Sequence, residues 1–447
     1  MTSKISLLSS LRVWLKIGLL SFGGPAAQIS LLHQELVEKR RWISDRRFLH
    51  ALNYCMVLPG PEAQQLATYL GWLTHGAIGG IVSGALFVLP SLLIMTAVGY
   101  LYVMFGQLPE VQALLYGVKP AVLAIVLAAC LRIGQRVLHG PLWWAIAAGA
   151  LIGLMIGLPF VFIIGLAAFI GWAAFLLAKD PIPGLEDSRA YSATGLKAKR
   201  KKITFLIDDD TPPPSLKKES RQLAMAVGTG IALWALLYGA VSQFFPGVLT
   251  DMALFFTKVA LVTFGGAYAV LPYVFDSSVN HYQWVTAGQM MDALALGETT
   301  PGPLVMVNAF VGFLGAAQDI GLSHLPIAWA GALGALVVTV FTFLPSFIFI
   351  LAGAPWIEAT RKRPSFAAPL TAISAAVVGV IIHLALIFAQ HTFFPDGSLW
   401  SWRSLDLVAI FIAAVASMML LQFRLGMITT LTVSMALGVT AVALRLY

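Results

Sequence analysis

The chain has 447 residues, of which 59% are hydrophobic and only 11% are charged, and its formal net charge is +8. A soluble globular protein carries about 25% charged residues, so this composition excludes a soluble domain and indicates a chain whose apolar surface faces a lipid bilayer. Two short stretches, 33–50 and 179–220, hold half of the 28 Lys and Arg. Such clusters are typical of cytoplasmic loops facing anionic lipid, and they argue against nucleic-acid binding.

Apolar segments long enough to cross a bilayer, roughly 17–25 residues each, recur along the chain. They lie at 77–104, 112–138, 141–157, 159–178, 222–243, 326–353, 366–390, 405–421 and 425–445. Four further apolar segments, 10–32, 49–74, 251–275 and 291–316, are interrupted by Gly and Pro. The sequence therefore predicts an all-α polytopic membrane protein.

A polar stretch separates two halves of the chain. Residues 179–220 contain Pro212-Pro213-Pro214 and alternating charge runs, a composition typical of a disordered linker. We therefore expect three parts: an N-terminal unit at 1–178, a cytoplasmic linker at 179–220, and a C-terminal unit at 221–447 that begins with an extra span.

The two halves repeat the same motifs in the same order. Lys16-Ile-Gly-Leu-Leu-Ser-Phe-Gly-Gly24 matches Lys258-Val-Ala-Leu-Val-Thr-Phe-Gly-Gly266, 242 residues later. At the same offset Trp42 matches Trp284 and Pro59-Gly60-Pro61 matches Pro301-Gly302-Pro303; Leu89-Pro90-Ser91 then matches Leu344-Pro345-Ser346. Four ordered matches indicate an internal repeat.

The two copies carry opposite charge patterns. The stretch 33–50 contains five Lys and Arg, whereas its partner 275–292 contains none. By the positive-inside rule the first lies in the cytoplasm and the second outside, which predicts inverted-topology repeats. Thirteen full spans would place 33–50 outside, whereas re-entrant hairpins at 10–32 and 49–74 keep it inside. We therefore favour Gly/Pro-broken or re-entrant helices, and both alternatives place the C-terminus outside.

The interrupted segments predict a binding site. Phe22-Gly23-Gly24-Pro25 and Pro59-Gly60-Pro61 break helices inside apolar surroundings and leave backbone amides bare. A half-helix N-terminus attracts anions, and broken segments at matching places of inverted repeats point to a transporter site for a small oxyanion. The alternative is that these glycines only permit close helix packing or kinks.

Ionisable and polar side chains near the breaks complete the expected site. Lys16, Glu62, Lys119, Lys258 and Glu298 lie in apolar segments, where a charge is costly unless it is paired or functional. The lysines could instead snorkel to an interface, and the hydroxyls could bond to their own helices. We expect substrate binding by Lys16, Ser21, Gly23, Gly24, Gly60, Gln64, Lys258, Thr263, Gly265, Gly266, Thr300 and Gly302, with Glu62 and Glu298 as proton-coupling candidates.

Signatures of other functional classes are missing from the sequence. Its two cysteines form no CxxC or zinc spacing, and neither HExxH nor a phosphate-binding GxxxxGK[ST] occurs. A membrane-embedded reductase would need a haem or flavin signature, and a protease would need a nucleophile and base. We therefore expect no enzyme activity, catalytic residue, cofactor or metal, while a passive channel remains an alternative to a coupled carrier.

The chain resembles the chromate ion transporter (CHR) family, long-chain type. The resemblance rests on Phe22-Gly23-Gly24-Pro25, on Pro59-Gly60-Pro61-Glu62-Ala63-Gln64-Gln65, on Leu89-Pro90-Ser91 and on their repeat partners, and it covers about 10–178 and 222–445. The second copy departs from the first, because Ala267 follows its Gly-Gly and Leu304 follows its Pro-Gly-Pro. The two halves are therefore not expected to bind substrate equally.

The resemblance implies a multi-pass protein of the bacterial plasma membrane that exports chromate, driven by the proton gradient, and so confers chromate resistance. Sulfate has a similar shape and charge, so sulfate or another anion remains an alternative substrate. The oligomeric state stays open, with a homodimer among the alternatives.

Overall fold

The computed structural model describes residues 6–177, 206–207, 216–264, 266–359, 367–394 and 405–444. Within these ranges the chain is helical and contains no strand, apart from one isolated β-bridge. The first half forms α1 (Leu7–Leu20), α2 (Gly24–His33), a π-helical turn (Gln34–Lys39), α3 (Asp45–Cys55), α4 (Glu62–Phe105), α5 (Pro109–Val137), α6 (Pro141–Met155) and α7 (Phe160–Leu177). The predicted all-α class is thus confirmed.

The second half begins with one additional helix. It forms α8 (Leu216–Phe244), α9 (Val248–Val262), α10 (Ala267–Phe275), a second π-helical turn (Asp276–His281), α11 (Ala287–Thr299), α12 (Val307–Ala317) after a 3₁₀ turn (Leu304–Met306), α13 (Ile327–Ala359), α14 (Ala367–Phe393), α15 (Leu407–Leu421) and α16 (Met427–Ala443). A short 3₁₀ turn, Ile320–Leu322, lies between α12 and α13.

The second half repeats the element order of the first in detail. In both halves a short helix after the Gly-Gly break continues into a π-helical turn. Each turn is followed by a residue with positive φ, Arg41 at +55° and Gln283 at +56°, and then by a tryptophan. Helix α4 loses helical geometry at His75 and Gly76, where the second half has the connection between α12 and α13.

The two halves pack through swapped helices. Helix α5 of the first half contacts α15 and α16 of the second, and its counterpart α14 contacts α6 and α7 of the first. The pairs α5–α14 and α4–α13 also meet directly, each joining one helix of the first half to its counterpart in the second. The halves therefore share one apolar core, which gathers residues from α4 to α7 and from α9 to α16.

Helix length separates spanning helices from broken ones. Among the described residues, six helices are long and apolar enough to cross a membrane; they lie within α4, α5, α7, α8, α13 and α14. Helices α1 and α3 have only 14 and 11 residues, so each rises about 16–21 Å, less than the roughly 30 Å apolar thickness. The segments 10–32 and 49–74 are thus broken, as expected from their Gly and Pro.

Helix α8 supplies the extra span and lies at the edge of the bundle. It contacts α9 and α13, and Trp234 stacks on Tyr238 and donates a hydrogen bond to Thr257. Most of its apolar side chains, such as Leu236 and Phe244, are exposed and suit contact with lipid. Helix α8 begins at Leu216, so the stretch 216–220 is helical although we expected it in the linker.

Most of the remaining linker lies outside the described residues, but Leu206 and Ile207 are described. Ile207 forms a parallel β-bridge with Ile43, and its side chain packs against the apolar cluster of the first half. The amide of Ser44 donates to the carbonyl of Ile207, and the amide of Ile207 donates to Trp42. Residues 206 and 207 therefore pack on the first half and form hydrogen bonds with backbone groups that have no helical partner after the π-helical turn.

Candidate functional site

The first break separates α1 from α2. Gly23 and Gly24 have φ of +87° and +77°, values that favour glycine, and Pro25 lies in the first turn of α2. In the second half, Gly266 takes φ +97° at the start of α10, while Gly265 lies outside the described residues. Gly23 and Gly24 therefore lie where α1 ends and α2 begins, and Gly266 lies directly before α10.

The second break lies at the Pro-Gly-Pro motifs. Gly60 and Gly302 have φ of +126° and +111°, and helix α4 begins directly after Pro61. Both glycines are buried in close contact with the other half. A methyl group on Gly60 would overlap the Ser346 hydroxyl, and one on Gly302 would lie 2.9 Å from Ser91 Oγ.

The two kinds of break meet across the repeats. The amide of Gly60 donates to the carbonyl of Thr263 at 2.7 Å, and the amide of Gly302 donates to the carbonyl of Ser21 at 2.7 Å. The two hydrogen bonds join repeat-equivalent residues with the halves exchanged. At Gly302 there is one additional hydrogen bond: the side-chain nitrogen of Gln28 donates to the carbonyl of Gly302 at 2.5 Å.

These contacts change the expectation of bare amides. In this structure the amides of Gly60 and Gly302 are bound by carbonyl oxygens, since each break supplies an acceptor to the opposite repeat. Sequence analysis could not anticipate this, because the partner lies more than 200 residues away. The structure does bring Gly60 to Thr263 and Gly302 to Ser21, so each of these pairs joins the two halves.

The predicted hydroxyl and amide groups divide into two sets. Ser21, Thr263 and Thr300 donate to carbonyls of their own segments, Ile17 at 2.6 Å, Val259 at 2.6 Å and Gly297 at 3.1 Å. Gln64 is fully buried; its nitrogen donates to Thr68 Oγ1 at 3.0 Å, and its oxygen has no partner among the described residues. Its free acceptor distinguishes Gln64 from the three hydroxyls.

The two repeat-equivalent lysines have different environments. Lys16 donates to Glu35 at 3.2 Å, and Glu35 also binds Lys39 at 2.9 Å and Arg40. Burial alone would raise the pKa of Glu35, but the hydrogen bonds from these three cations outweigh it and lower the pKa to about 2. Lys258 lies on an exposed face of α9 and makes no ion pair with the described residues.

The two candidate coupling carboxylates face basic residues of α5. Glu298 is 4% exposed, accepts a hydrogen bond from Tyr268 and interacts electrostatically with Arg132. Glu62 at the start of α4 interacts electrostatically with Arg136. Helix α5 therefore contributes a positive charge within electrostatic range of one carboxylate from each half.

A further buried carboxylate, Asp292, is not among the residues predicted from the sequence. Asp292 is 2% exposed, accepts a hydrogen bond from Tyr102 at 2.8 Å and interacts electrostatically with Lys119. Its position at the start of the apolar segment 291–316 was the available signal. Lys119 thus lies near a carboxylate, and this pairing accounts for a lysine in an apolar segment without a role in substrate binding.

The described residues contain no group of His, Cys, Asp and Glu suited to holding a metal ion. The candidate site combines helix breaks, buried polar groups and carboxylates that lie near cationic side chains. This is the arrangement expected when irregular backbone at membrane depth lines a path for a polar solute.

Comparison with known proteins identifies the family. The "Chromate transporter" family model matches residues 8–172 and 250–439, once in each half. A chromate transport protein of Pseudomonas aeruginosa is 32% identical over 421 residues, which cover 90% of this chain and 89% of that protein.

Two further relatives extend the comparison. A chromate transport protein of Cupriavidus metallidurans is 28% identical over 412 residues, covering 92% of this chain and 87% of that protein. A probable chromate transport protein of Synechococcus elongatus is 29% identical over 379 residues, covering 85% and 84%. No solved structure matches the chain. With the family model matched across most of both halves, this multi-pass membrane protein belongs to the chromate transporter family.

Proposed function

We propose that this protein exports chromate across the plasma membrane of a bacterium, driven by the proton gradient, and thereby confers chromate resistance. Relatives named as chromate transport proteins support the substrate, and their alignment covers most of both chains. In this proposal the two sets of helix breaks separate and rejoin during transport. We place the substrate site between them.

The reciprocal hydrogen bonds carry this proposal. The amides of Gly60 and Gly302 are held by carbonyls of Thr263 and Ser21 from the opposite repeat. An oxyanion oxygen is a stronger acceptor than a neutral carbonyl, because hydrogen bonds to charged groups are roughly twice as strong. Separation of the breaks would release these amides to an entering oxyanion, and their return to the carbonyls would release it.

Inverted repeats provide the two-sided access that such a carrier needs. The basic stretch 33–50 and the stretch 275–292, which has no Lys or Arg, occupy equivalent places in the two repeats. The positive-inside rule puts them on opposite sides of the membrane. Under this topology one amide–carbonyl contact opens toward the cytoplasm and its counterpart opens outward. Alternating access then amounts to rocking one repeat against the other.

The substrate site in this proposal comprises the residues expected from the sequence. They are Lys16, Ser21, Gly23, Gly24, Gly60, Gln64, Lys258, Thr263, Gly265, Gly266, Thr300 and Gly302. Among them the glycines admit the anion to the backbone, and the exposed lysines attract it toward the breaks. The unequal motifs of the two copies imply that the site is asymmetric.

Glu298 and Glu62 are the proposed proton carriers. Protonation of either carboxylate cancels one negative charge beside an arginine of α5, and this changes the attraction of the site for a dianion. Tyr268, which donates to Glu298, provides a second group along the path of that proton.

The test is labelled-anion uptake into inside-out vesicles. We expect chromate to accumulate when the lumen is acidified and the accumulation to be lost when a protonophore is added. A sulfate arm measures selectivity, and vesicles without the protein are the control. Uptake that follows the membrane potential but ignores the pH difference would identify a passive channel instead.

Two variants sharpen the coupling test. We expect Glu298→Gln to abolish proton-driven accumulation while chromate exchange at equal pH persists, because a neutral side chain cannot carry a proton but preserves the packing. Glu110→Gln, in the first turn of α5, makes the same chemical change outside the proposed proton path and serves as the matched control. Accumulation by Glu298→Gln at the parental level would exclude it as a carrier. Native mass spectrometry of the purified protein decides whether it is a homodimer, one of the oligomeric states that the sequence leaves open.

A further inference from the structure

Two serines of the long central helices are buried without a hydrogen-bond partner. Ser91 of α4 and Ser346 of α13 are 1% and 0% exposed, and neither hydroxyl has a partner among the described residues. Both follow Leu-Pro, and they are equivalents in the repeat. A buried hydroxyl is normally bonded to its own helix, as in Ser21, so an unpartnered pair at equivalent positions requires an explanation.

The two hydroxyls face the Pro-Gly-Pro turns of the opposite repeats. Ser346 Oγ lies against the Cα of Gly60, and Ser91 lies against the Cα of Gly302. These are the glycines whose amides bind the carbonyls of Thr263 and Ser21. Each serine therefore lies beside an amide that a separation of the breaks would release.

We propose that Ser91 and Ser346 are paired substrate-binding residues, each donating its hydroxyl hydrogen to one oxygen of a bound tetrahedral oxyanion. The inference rests on the proposed function and adds two residues to that site. A tetrahedral dianion has four acceptor oxygens and two-fold axes, so it fits two donors related by the internal repeat. The hydroxyls then obtain from the substrate the partner that the protein does not supply.

Further buried polar atoms surround the same place. Thr342, one turn before Ser346, has an unpartnered hydroxyl, and the side-chain oxygens of Gln64 and Gln65 are also unpartnered. The nitrogen of Gln65 donates to the carbonyl of Pro59 at 2.7 Å, which supports the first Pro-Gly-Pro turn. Unpartnered polar groups thus accompany Ser346 and the first Pro-Gly-Pro turn.

The competing explanation is that serine is present only because it is small enough to lie against glycine. Alanine satisfies that requirement equally well and lacks only the hydroxyl. Ser91→Ala and Ser346→Ala therefore separate substrate binding from packing. Ser434→Ala is the matched control, since Ser434 is also buried with an unpartnered hydroxyl but lies on α16, which packs against α5.

The experiment measures dissociation constants of chromate and sulfate for the purified full-length protein by calorimetry, with the melting temperature of each variant. Binding is expressed per folded molecule from the monodisperse fraction. We expect each serine variant to weaken chromate binding by roughly tenfold or more, the double variant to be weaker still, and Ser434→Ala to bind like the parent. Melting temperatures should be unchanged or raised, because alanine removes an unpartnered buried hydroxyl.

The outcomes distinguish the inference from the function on which it rests. If the parent binds chromate and both serine variants bind it equally well, the inference is wrong while the proposed function stands. If the parent binds neither chromate nor sulfate, the proposed substrate is wrong, and the inference is wrong with it. A loss confined to chromate or to sulfate supports the serines and assigns them to selection between the two anions.

Discussion

Alanine at the glycines of the breaks separates a backbone role from a packing role. Gly24 and Gly60 both have positive φ, +77° and +126°, so alanine is strained at both positions. They differ in their surroundings: a methyl group on Gly24 meets nothing within 4 Å, whereas one on Gly60 overlaps Ser346 and lies 2.6 Å from Gln65 Nε2. Gly165, on an exposed face of α7 with nothing within 4 Å, is the control.

The magnitudes follow from these environments. Gly24→Ala should cost about 1–2 kcal/mol, the usual penalty for a left-handed conformation. Gly60→Ala adds about 1–3 kcal/mol for overpacking to a backbone strain of about 1–3 kcal/mol. Gly165→Ala should instead stabilise by about 0.5–1 kcal/mol, because alanine is the better helix former. The melting temperatures should therefore fall in the order Gly165→Ala, parent, Gly24→Ala, Gly60→Ala.

Transport activity is not expected to follow the order of the melting temperatures. If the break must present backbone to an anion, Gly24→Ala abolishes chromate uptake although most of the protein remains folded and inserted. Uptake in vesicles and thermal melting of the same purified variant provide the assay. Parental uptake by a stably folded Gly24→Ala variant would refute the backbone site, whereas uptake that tracks the folded fraction would assign the glycine to packing.

Three further predictions address topology, charge and pH. Single cysteines at Arg40 and Tyr282 in a Cys-free background should react with an impermeant thiol reagent from opposite sides; reaction from the same side would contradict inverted repeats. Lys16→Gln and Lys258→Gln should each raise the dissociation constant for chromate more than Lys→Arg does, and a double Gln variant with parental affinity would show that both lysines only snorkel. Because the pKa of Glu35 is lowered from 4.5 to about 2, its ionised form stabilises the protein above pH 4.5, and this contribution is lost as pH falls through about 2. Glu35→Gln should thus lower the melting temperature at pH 6 but converge with the parent near pH 2, and an equal deficit at both values would contradict the ion cluster.

The breaks were predictable because their cause is local. Proline fixes φ and glycine permits positive φ, so both motifs act on the backbone of their own segment. The helices are interrupted at Gly23 and Gly60 as expected. The division of α4 was predictable as well, because the sequence places one apolar segment at 49–74 and the next at 77–104, and the backbone leaves helical geometry between them at His75 and Gly76. The packing of the two parts against each other, in which the hydroxyl of Ser83 donates to the carbonyl of Ala67 at 2.8 Å, was not predicted.

Partners across the fold were not predictable from one sequence. The pairing of Lys16 with Glu35 joins α1 to the π-helical turn after α2, so it depends on how the chain folds back between them. The burial of Asp292 depends on Tyr102 from the other half. Such contacts are set by packing between repeats, whereas hydropathy reports only the average environment of a segment.

The swapped packing of the terminal helix pairs has a consequence for biosynthesis. Helices α6 and α7 lie against α14, which begins at residue 367, so the ribosome must add the stretch 178–366 before their partner emerges. At about 5–20 residues per second, the first half waits for roughly 10–40 s in the membrane with that face covered only by lipid. The first half is therefore inserted before α6 and α7 can pack against α14. The nascent chain passes through a state in which these helices lie in the membrane without their final partner.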